Sequence, residues 1–398
     1  MIIFSKVLGD KATVYDALRA GERPEGDLPD GMLRFSRTGK PVVVWNVTKR
    51  CNLRCEHCYL DAAEPEADEL SLADFGRTMV DLSRCGVPLV IFSGGEPLLR
   101  RDFLDILGLA KDAGLRSVIS TNGTLITGDM AERLAARGVR YVGVSLDAAH
   151  PEVHDRFRGV DGCWRKALDG VRKARDAGIR TGFRITVTRD NYRELPDLLE
   201  LALRERVERF CVYHLVPTGR GAGIMAKDLD RSQREWVLSF LYEKAIELRD
   251  RDIEILTTDS PMDGVYILER LKREQPERYE AARRMLALGS GCTIGSKVAN
   301  ISHRGDVTPC HFAPEIVLGN VRRNTFSDIW NAPGSPLVQG LRAMPVGLTG
   351  KCGRCDYTDV CRGCRKRALF GSGDWMGEDP ACIYDPPPGA GHAHMAGK

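Results

Sequence analysis

From residue 42 onward a single pattern repeats: an apolar, β-branched run ends at a polar or glycine-containing turn, and an amphipathic segment follows. The runs fall at 42–47, 88–93, 116–120, 140–146, 182–187 and 210–216. The helical spacing occupies 72–83, 103–112, 130–136, 164–176, 195–204 and 232–248. Six β–α units in succession require parallel strands joined by right-handed crossovers, the hand that lets each helix pack back on its sheet. The runs are apolar at nearly every position, as in strands covered on both faces. The expected fold is therefore α/β, a partial (β/α)6 TIM-like barrel that stops short of closure.

The flanks divide as follows. Residues 1–41 are an N-terminal extension too short for a domain, with a short helix around Asp16–Arg19 and a turn-rich stretch at 21–31. The barrel runs over 42–250, and 251–290 reads as a charged, mostly helical connector. Cysteine, glycine and proline with short strands mark 291–385 as a small cysteine-rich domain. Residues 386–398 read as a disordered tail.

Composition excludes several roles. With 58 basic against 55 acidic residues, the net charge of +3 is too small to point to nucleic acid. Apolar stretches such as 87–92 fall far below the roughly 20 residues of a membrane span. The opening residues lack the ordered regions of a signal peptide, so the expected location is cytoplasmic. Thirteen cysteines then need an explanation, because disulfides do not persist in that compartment. Three lie within 51–58 and seven between 292 and 382; Cys85, Cys163 and Cys211 stand alone and read as buried thiols. The two groups read as metal sites.

Cys51-x3-Cys55-x2-Cys58 directly follows the first strand, which puts it on a loop at the C-terminal mouth of the barrel. Three thiolates hold three irons of a cubane and leave the fourth open to a ligand. Zinc would want a fourth protein ligand nearby, and His57 sits awkwardly between two cysteines. The next strand ends in Ser93-Gly94-Gly95-Glu96-Pro97, where glycines allow close backbone approach and the carboxylate suits an ammonium group. Asn122-Gly123 and Ser145-Leu146-Asp147 end the third and fourth strands. Singly each is an ordinary turn; together they converge on one mouth.

These residues resemble the radical S-adenosylmethionine (SAM) superfamily, whose motif is C-x3-C-x-aromatic-C, with His57 at the penultimate position. The match spans roughly 42–216, with Ala148 standing where many relatives have glycine. The resemblance implies that Cys51, Cys55 and Cys58 hold a [4Fe–4S] cluster whose open iron takes the methionine part of SAM. It implies that Gly94, Gly95, Glu96 and Pro97 lie at the amino group. Asn122, Ser145 and Asp147, with Arg184 and Thr186 on the fifth strand, lie along the rest of the cofactor. The implied chemistry is reductive cleavage of SAM to a 5′-deoxyadenosyl radical that abstracts hydrogen from the substrate.

Cys292, Cys310, Cys352, Cys355, Cys361, Cys364 and Cys382 resemble the SPASM extension, which carries auxiliary [4Fe–4S] clusters. Cys352, Cys355, Cys361 and Cys382 make one complete four-thiolate set. Cys292, Cys310 and Cys364 are either ligands of a second cluster, with His303 or His311 as possible fourth ligands, or free thiols. The alternative of a zinc ribbon accounts for two C-x2-C pairs but not for seven cysteines.

Residues 41–48 and 213–221 look like the tetrapyrrole branch of the superfamily, and the segments at 16–19 and 32–36 are closest to didecarboxysiroheme deacetylases. That resemblance implies an iron tetrapyrrole substrate, didecarboxysiroheme, losing its acetate side chains to give Fe-coproporphyrin III. It also implies an electron donor of the flavodoxin or ferredoxin type. Haem b and haem d1 enzymes are the alternatives within the branch. Arg220 is expected to hold a substrate carboxylate, and His214 to ligate the substrate iron or give a proton. A peptide or sulfatase maturase is the competing class. The 50 residues ahead of Cys51 are few for a separate leader-recognition domain.

Overall fold

The computed structural model describes residues 1–9, 40–64, 66–289, 291–332 and 334–387. The segments at 16–19, 21–31 and 32–36 and the tail beyond 387 lie outside the described residues. The strands are β1 (Ile2–Ile3), β2 (Val42–Asn46), β3 (Val90–Ser93), β4 (Ser117–Thr121), β5 (Tyr141–Ser145), β6 (Arg180–Val187) and β7 (Arg209–His214). After them come β8 (Glu254–Thr258), β9 (Val298–Ile301), β10 (Asp306–Thr308) and β11 (Gly319–Asn320). They form one sheet in the order β1-β8-β7-β6-β5-β4-β3-β2-β9-β10-β11. From β2 to β8 every neighbouring pair is parallel.

Each strand from β2 to β7 falls on one of the six apolar runs, and each run is followed by its helix. Leu72–Arg84 shows why. Ser71 accepts from Asp74 N at 3.2 Å while the Asp74 carboxylate accepts from Ser71 N at 2.9 Å, a reciprocal cap worth about 1 kcal/mol. The helix buries Phe75, Thr78, Met79 and Leu82, and Phe75 stacks on Trp45 at 4.6 Å between centroids.

Side chains alternate across each strand. Val43, Trp45, Phe92, Val142, Val144, Phe183, Ile185, Phe210 and Val212 point into the helix layer and form the main core. Val42, Val44, Ile91, Val118, Tyr141, Arg184, Cys211 and Tyr213 line a single cavity of about 450 Å³, so the sheet curls around a central space.

Two edges differ from the sequence reading. Residues 251–290, read as a helical connector, begin with β8, which adds a seventh parallel strand; Met262–Glu274 and Pro276–Gly289 are the helices. Charged neighbours hid this strand, and Glu254 is buried in it only because Arg209 on β7 pairs with it. At the other edge β9 runs parallel to β2, so the cysteine-rich region continues the barrel sheet and covers its open edge.

Candidate active site

The cysteine loop is fixed from three sides. Cys51 N donates to Ala63 O at 2.8 Å, Arg54 N to Arg158 O at 3.0 Å, and Arg220 N to Cys58 O at 2.9 Å. Arg158 stands behind it, its Nε on Asp147 and its Nη1 3.5 Å from Cys55 Sγ. The His57 ring stacks on Phe157 at 4.3 Å, so the aromatic position of the motif packs the loop against helix Pro151–Arg158. Burial pushes the Cys51 thiol up to about 12 and raises that of Cys55 as well. With Cys51 and Cys55 held neutral by burial, a cation sharing the loop is what would favour their thiolates, which fits a cluster.

Gly94 has φ +142°, and a Cβ there would lie 2.5 Å from Thr48 O. The missing side chain lets this turn press against the chain leading into the cysteine loop. Gly94, Gly95, Asn122, Ser145, Arg184 and Thr186 reach the cavity together with Cys51, Cys55 and Cys58. Asn122 is tied to the loop by Nδ2 donating to Asn52 Oδ1 at 2.9 Å.

The side chains of Glu96, Pro97 and Asp147 stand behind that wall, while Gly94 and Gly95 of the same segment reach it. Glu96 is fully buried; its oxygens accept from Thr121 Oγ1 at 2.7 Å, Asn122 N at 2.8 Å and Leu98 N at 3.1 Å. Burial raises its carboxyl to about 7 against the pull of these hydrogen bonds. Asp147 accepts from Arg158 Nε and from Thr186 N at 2.8 Å. Both carboxylates hold the ends of neighbouring strands in register.

On β7, Tyr213 faces the cavity and the His214 side chain faces the helices. Arg234 Nη1 donates to His214 Nδ1 at 2.9 Å, so the ring proton sits on Nε2 and is donated to Asp263 Oδ2 at 2.9 Å. Both ring nitrogens are thus engaged and the side chain has no exposed surface, although His214 is also among the residues that line the cavity. Arg220 is likewise spoken for: Nε donates to Cys55 O at 2.8 Å and Nη1 to Asp61 at 2.6 Å and Ala62 O at 3.1 Å. Its guanidinium braces the cysteine loop from the cavity wall.

Cys352, Cys355, Cys361 and Cys382 surround one small pocket. Amide and guanidinium donors face their sulfurs: Tyr357 N to Cys355 at 3.4 Å, Gly363 N to Cys361 at 3.3 Å and Arg365 Nη2 to Cys352 at 3.4 Å. Cys292, Cys310 and Cys364 come instead to the wall of the large cavity. One zinc ion with bonds of about 2.3 Å would draw its sulfurs to roughly 3.8 Å from each other. Among the described residues no three cysteine sulfurs lie within 4.8 Å of one another, wider than one tetrahedral zinc would hold them. His303 Nε2 meets Glu66 at 2.9 Å, and its Nδ1 is buried without a hydrogen-bond partner. His311 remains on the cavity wall, edge-on to Tyr59 at 5.4 Å.

Residues 45–202 match the radical SAM superfamily, and residues 292–365 match SPASM, an iron–sulfur cluster-binding domain. Fe-coproporphyrin III synthase of Methanosarcina barkeri is 38% identical over 389 residues, 96% of this chain and 97% of that protein. The chain belongs to the radical SAM superfamily. Pre-heme d1 synthase of Dinoroseobacter shibae is 40% identical over 87% of this chain and 86% of its own length. These relatives lie on the tetrapyrrole branch. The crystal structure of Streptococcus suis SuiB bound to S-adenosylmethionine superimposes with a TM-score of 0.70 at 19% identity, over 87% of this chain and 78% of that one. This radical SAM enzyme therefore uses SAM and [4Fe–4S] clusters, as its resemblance implied. No helix among the described residues is long and apolar enough to cross a membrane.

The sequence reading missed Arg158, Tyr59 and Arg367. Arg367 is almost fully buried and donates to Asp379 Oδ1 at 3.1 Å, to Leu215 O at 3.1 Å and to Asp259 O, joining the cysteine-rich region to the ends of β7 and β8. None carries a spacing signature; each is recognised only by what it touches. Cys211, read as a plain buried thiol, lines the cavity.

Proposed function

We propose that this radical SAM enzyme removes acetate side chains from didecarboxysiroheme to give Fe-coproporphyrin III. The observation that carries the reading is the end-to-end similarity to Fe-coproporphyrin III synthase, 38% identical over 96% of this chain. The cavity agrees with it. Arg116, Arg158, Arg184, Arg209, Arg220 and Lys297 lie on its wall. Arg158, Arg209 and Arg220 are paired with Asp147, Glu254 and Asp61, and Arg184 meets no carboxylate among the described residues, which suits a substrate bearing carboxylates.

Cys51, Cys55 and Cys58 would hold the first cluster, with Gly94, Gly95, Asn122 and Ser145 meeting SAM beside it. Cys352, Cys355, Cys361 and Cys382 would hold one auxiliary cluster, and Cys292, Cys310 and Cys364 a second. When bound, cluster and SAM supply a 5′-deoxyadenosyl radical that takes a hydrogen atom from the substrate. The chain's own residues orient and shield. Apolar Val42, Val44, Leu89, Ile91 and Val118 keep the inner wall dry. Arg158 and Arg220 fix the cysteine loop, and Glu96 and Asp147 fix the strand ends. An electron donor of the flavodoxin or ferredoxin type, and the reducing cytoplasm that thirteen unpaired cysteines call for, complete the reading.

The test is incubation of anaerobically reconstituted protein with SAM, dithionite and didecarboxysiroheme, followed by mass spectrometry. Loss of acetate groups is expected. Loss of carbon dioxide alone would mark a haem synthase, and absence of any turned-over tetrapyrrole would sink the reading. Three loaded sites should give about twelve irons per chain.

A further inference from the structure

Among the arginines that line the cavity, Arg184 differs in its partners. Arg158 is paired with Asp147, Arg209 with Glu254 and Arg220 with Asp61. No carboxylate stands within 4.0 Å of Arg184 among the described residues, and no hydrogen-bond acceptor engages its guanidinium. Its one side-chain partner is the Tyr213 ring, 4.4 Å from Cζ to the centroid. A half-buried guanidinium without an anion still carries a desolvation cost, of which a ring face offsets only about 1–2 kcal/mol.

The position is nonetheless built. Arg184 is in register with Ser145 on β5 and Cys211 on β7. Its side chain leans over Gly143, where a Cβ would fall 2.7 Å from Arg184 Cδ and 3.2 Å from Cγ. On the neighbouring strand Gly182 makes the same kind of room for the Tyr141 hydroxyl. Any side chain at 143 would expel the arginine. Gly143 lies two residues before Ser145, so the aliphatic stem is seated on the floor side, while the guanidinium lies over the Tyr213 ring, whose residue pairs with Thr186. A ring on one face and a glycine beneath the aliphatic stem leave the N–H edges open to the cavity, the geometry that takes a carboxylate with two parallel hydrogen bonds.

We infer that Arg184 is the anchor for a carboxylate side chain of the substrate, not a contact to the carboxylate of SAM. The inference rests on the proposed function in so far as the substrate bears carboxylates. It assigns to Arg184 the role expected of Arg220, which is engaged with the cysteine loop.

The test uses the full chain, anaerobically reconstituted, as wild type, Arg184→Gln and Arg184→Lys. Didecarboxysiroheme and its methyl ester are titrated optically, and SAM affinity is read from the change it causes in the electron paramagnetic resonance of the reduced cluster. Arg184→Gln should weaken the free acid roughly ten- to hundredfold, the range for a charge-assisted pair. Arg184→Lys should recover part of that loss, the ester should bind wild type and Arg184→Gln alike, and SAM affinity should stay within about twofold. Retained SAM affinity also shows that each variant folds. An unchanged acid affinity in Arg184→Gln, or a loss of SAM affinity with the acid unaffected, overturns the inference and leaves the proposed function standing. Failure of wild type to bind either tetrapyrrole overturns the proposed function, and the inference with it.

Discussion

Arg184 on the cavity wall and the layer behind that wall stand on the same strand ends, yet their polar groups are held in opposite ways. Arg158, Arg209 and Arg220 share the wall but are paired. On the wall, Arg184 meets only an aromatic ring. Behind it, Glu96, Asp147, His214 and Arg367 are buried and engage several partners each. The difference separates two kinds of motif residue. Unpartnered groups are held ready for a ligand; satisfied groups fix the frame on which those groups stand.

Changes behind the wall should therefore cost stability and spare binding. The largest effect is expected from Arg367→Met, which leaves Asp379 buried without its cation. Breaking such a pair costs about 3–5 kcal/mol, read by anaerobic denaturation, and should expose the cysteine-rich region to limited proteolysis. A loss below about 1 kcal/mol would show that this region does not depend on Arg367 for docking.

Glu96 gives a pH signature. Burial raises its carboxyl from 4.5 to about 7. The folded chain thus keeps a proton that the unfolded chain releases, and the stability this gives is full below about 4.5 and lost as pH rises to about 7. Relative to Glu96→Gln, wild type should lose on the order of 3 kcal/mol across that window. A constant difference between the two proteins would remove the buried, proton-holding Glu96 from this account.

The smallest effect belongs to His214→Ala, at about 1–3 kcal/mol for a lost buried hydrogen-bonding partner. The optical spectrum of bound iron tetrapyrrole should not change. A shift in that spectrum would return His214 to the substrate and erase its assignment to the layer behind the wall.

Much of the frame was legible because it is local. Each apolar run carries its own turn and helix, and β2 to β7 follow from that alone. The cysteine loop and the glycine turn were legible for the same reason: their residues are neighbours in sequence before they are neighbours in space. β8 was not, since Glu254 and its charged surroundings read as a helical connector until Arg209 pairs with it. Arg158 was not, since its partners Asp147 and Cys55 lie 11 and 103 positions away.

The sequence by itself determined that three thiols share one loop at the mouth of a parallel β–α barrel, and that seven more gather after it. Tertiary structure alone decided which face of each strand meets the cavity. A strand presents alternate residues to opposite sides, so Tyr213 and His214 cannot both face inward, and the curl of the sheet chooses between them. It also decided that Cys292, Cys310 and Cys364, drawn from three distant segments, open on the large cavity while the other four enclose their own pocket. Spacing along the chain fixes which sulfurs can be near each other within one loop; only the path of the chain between loops fixes what they face.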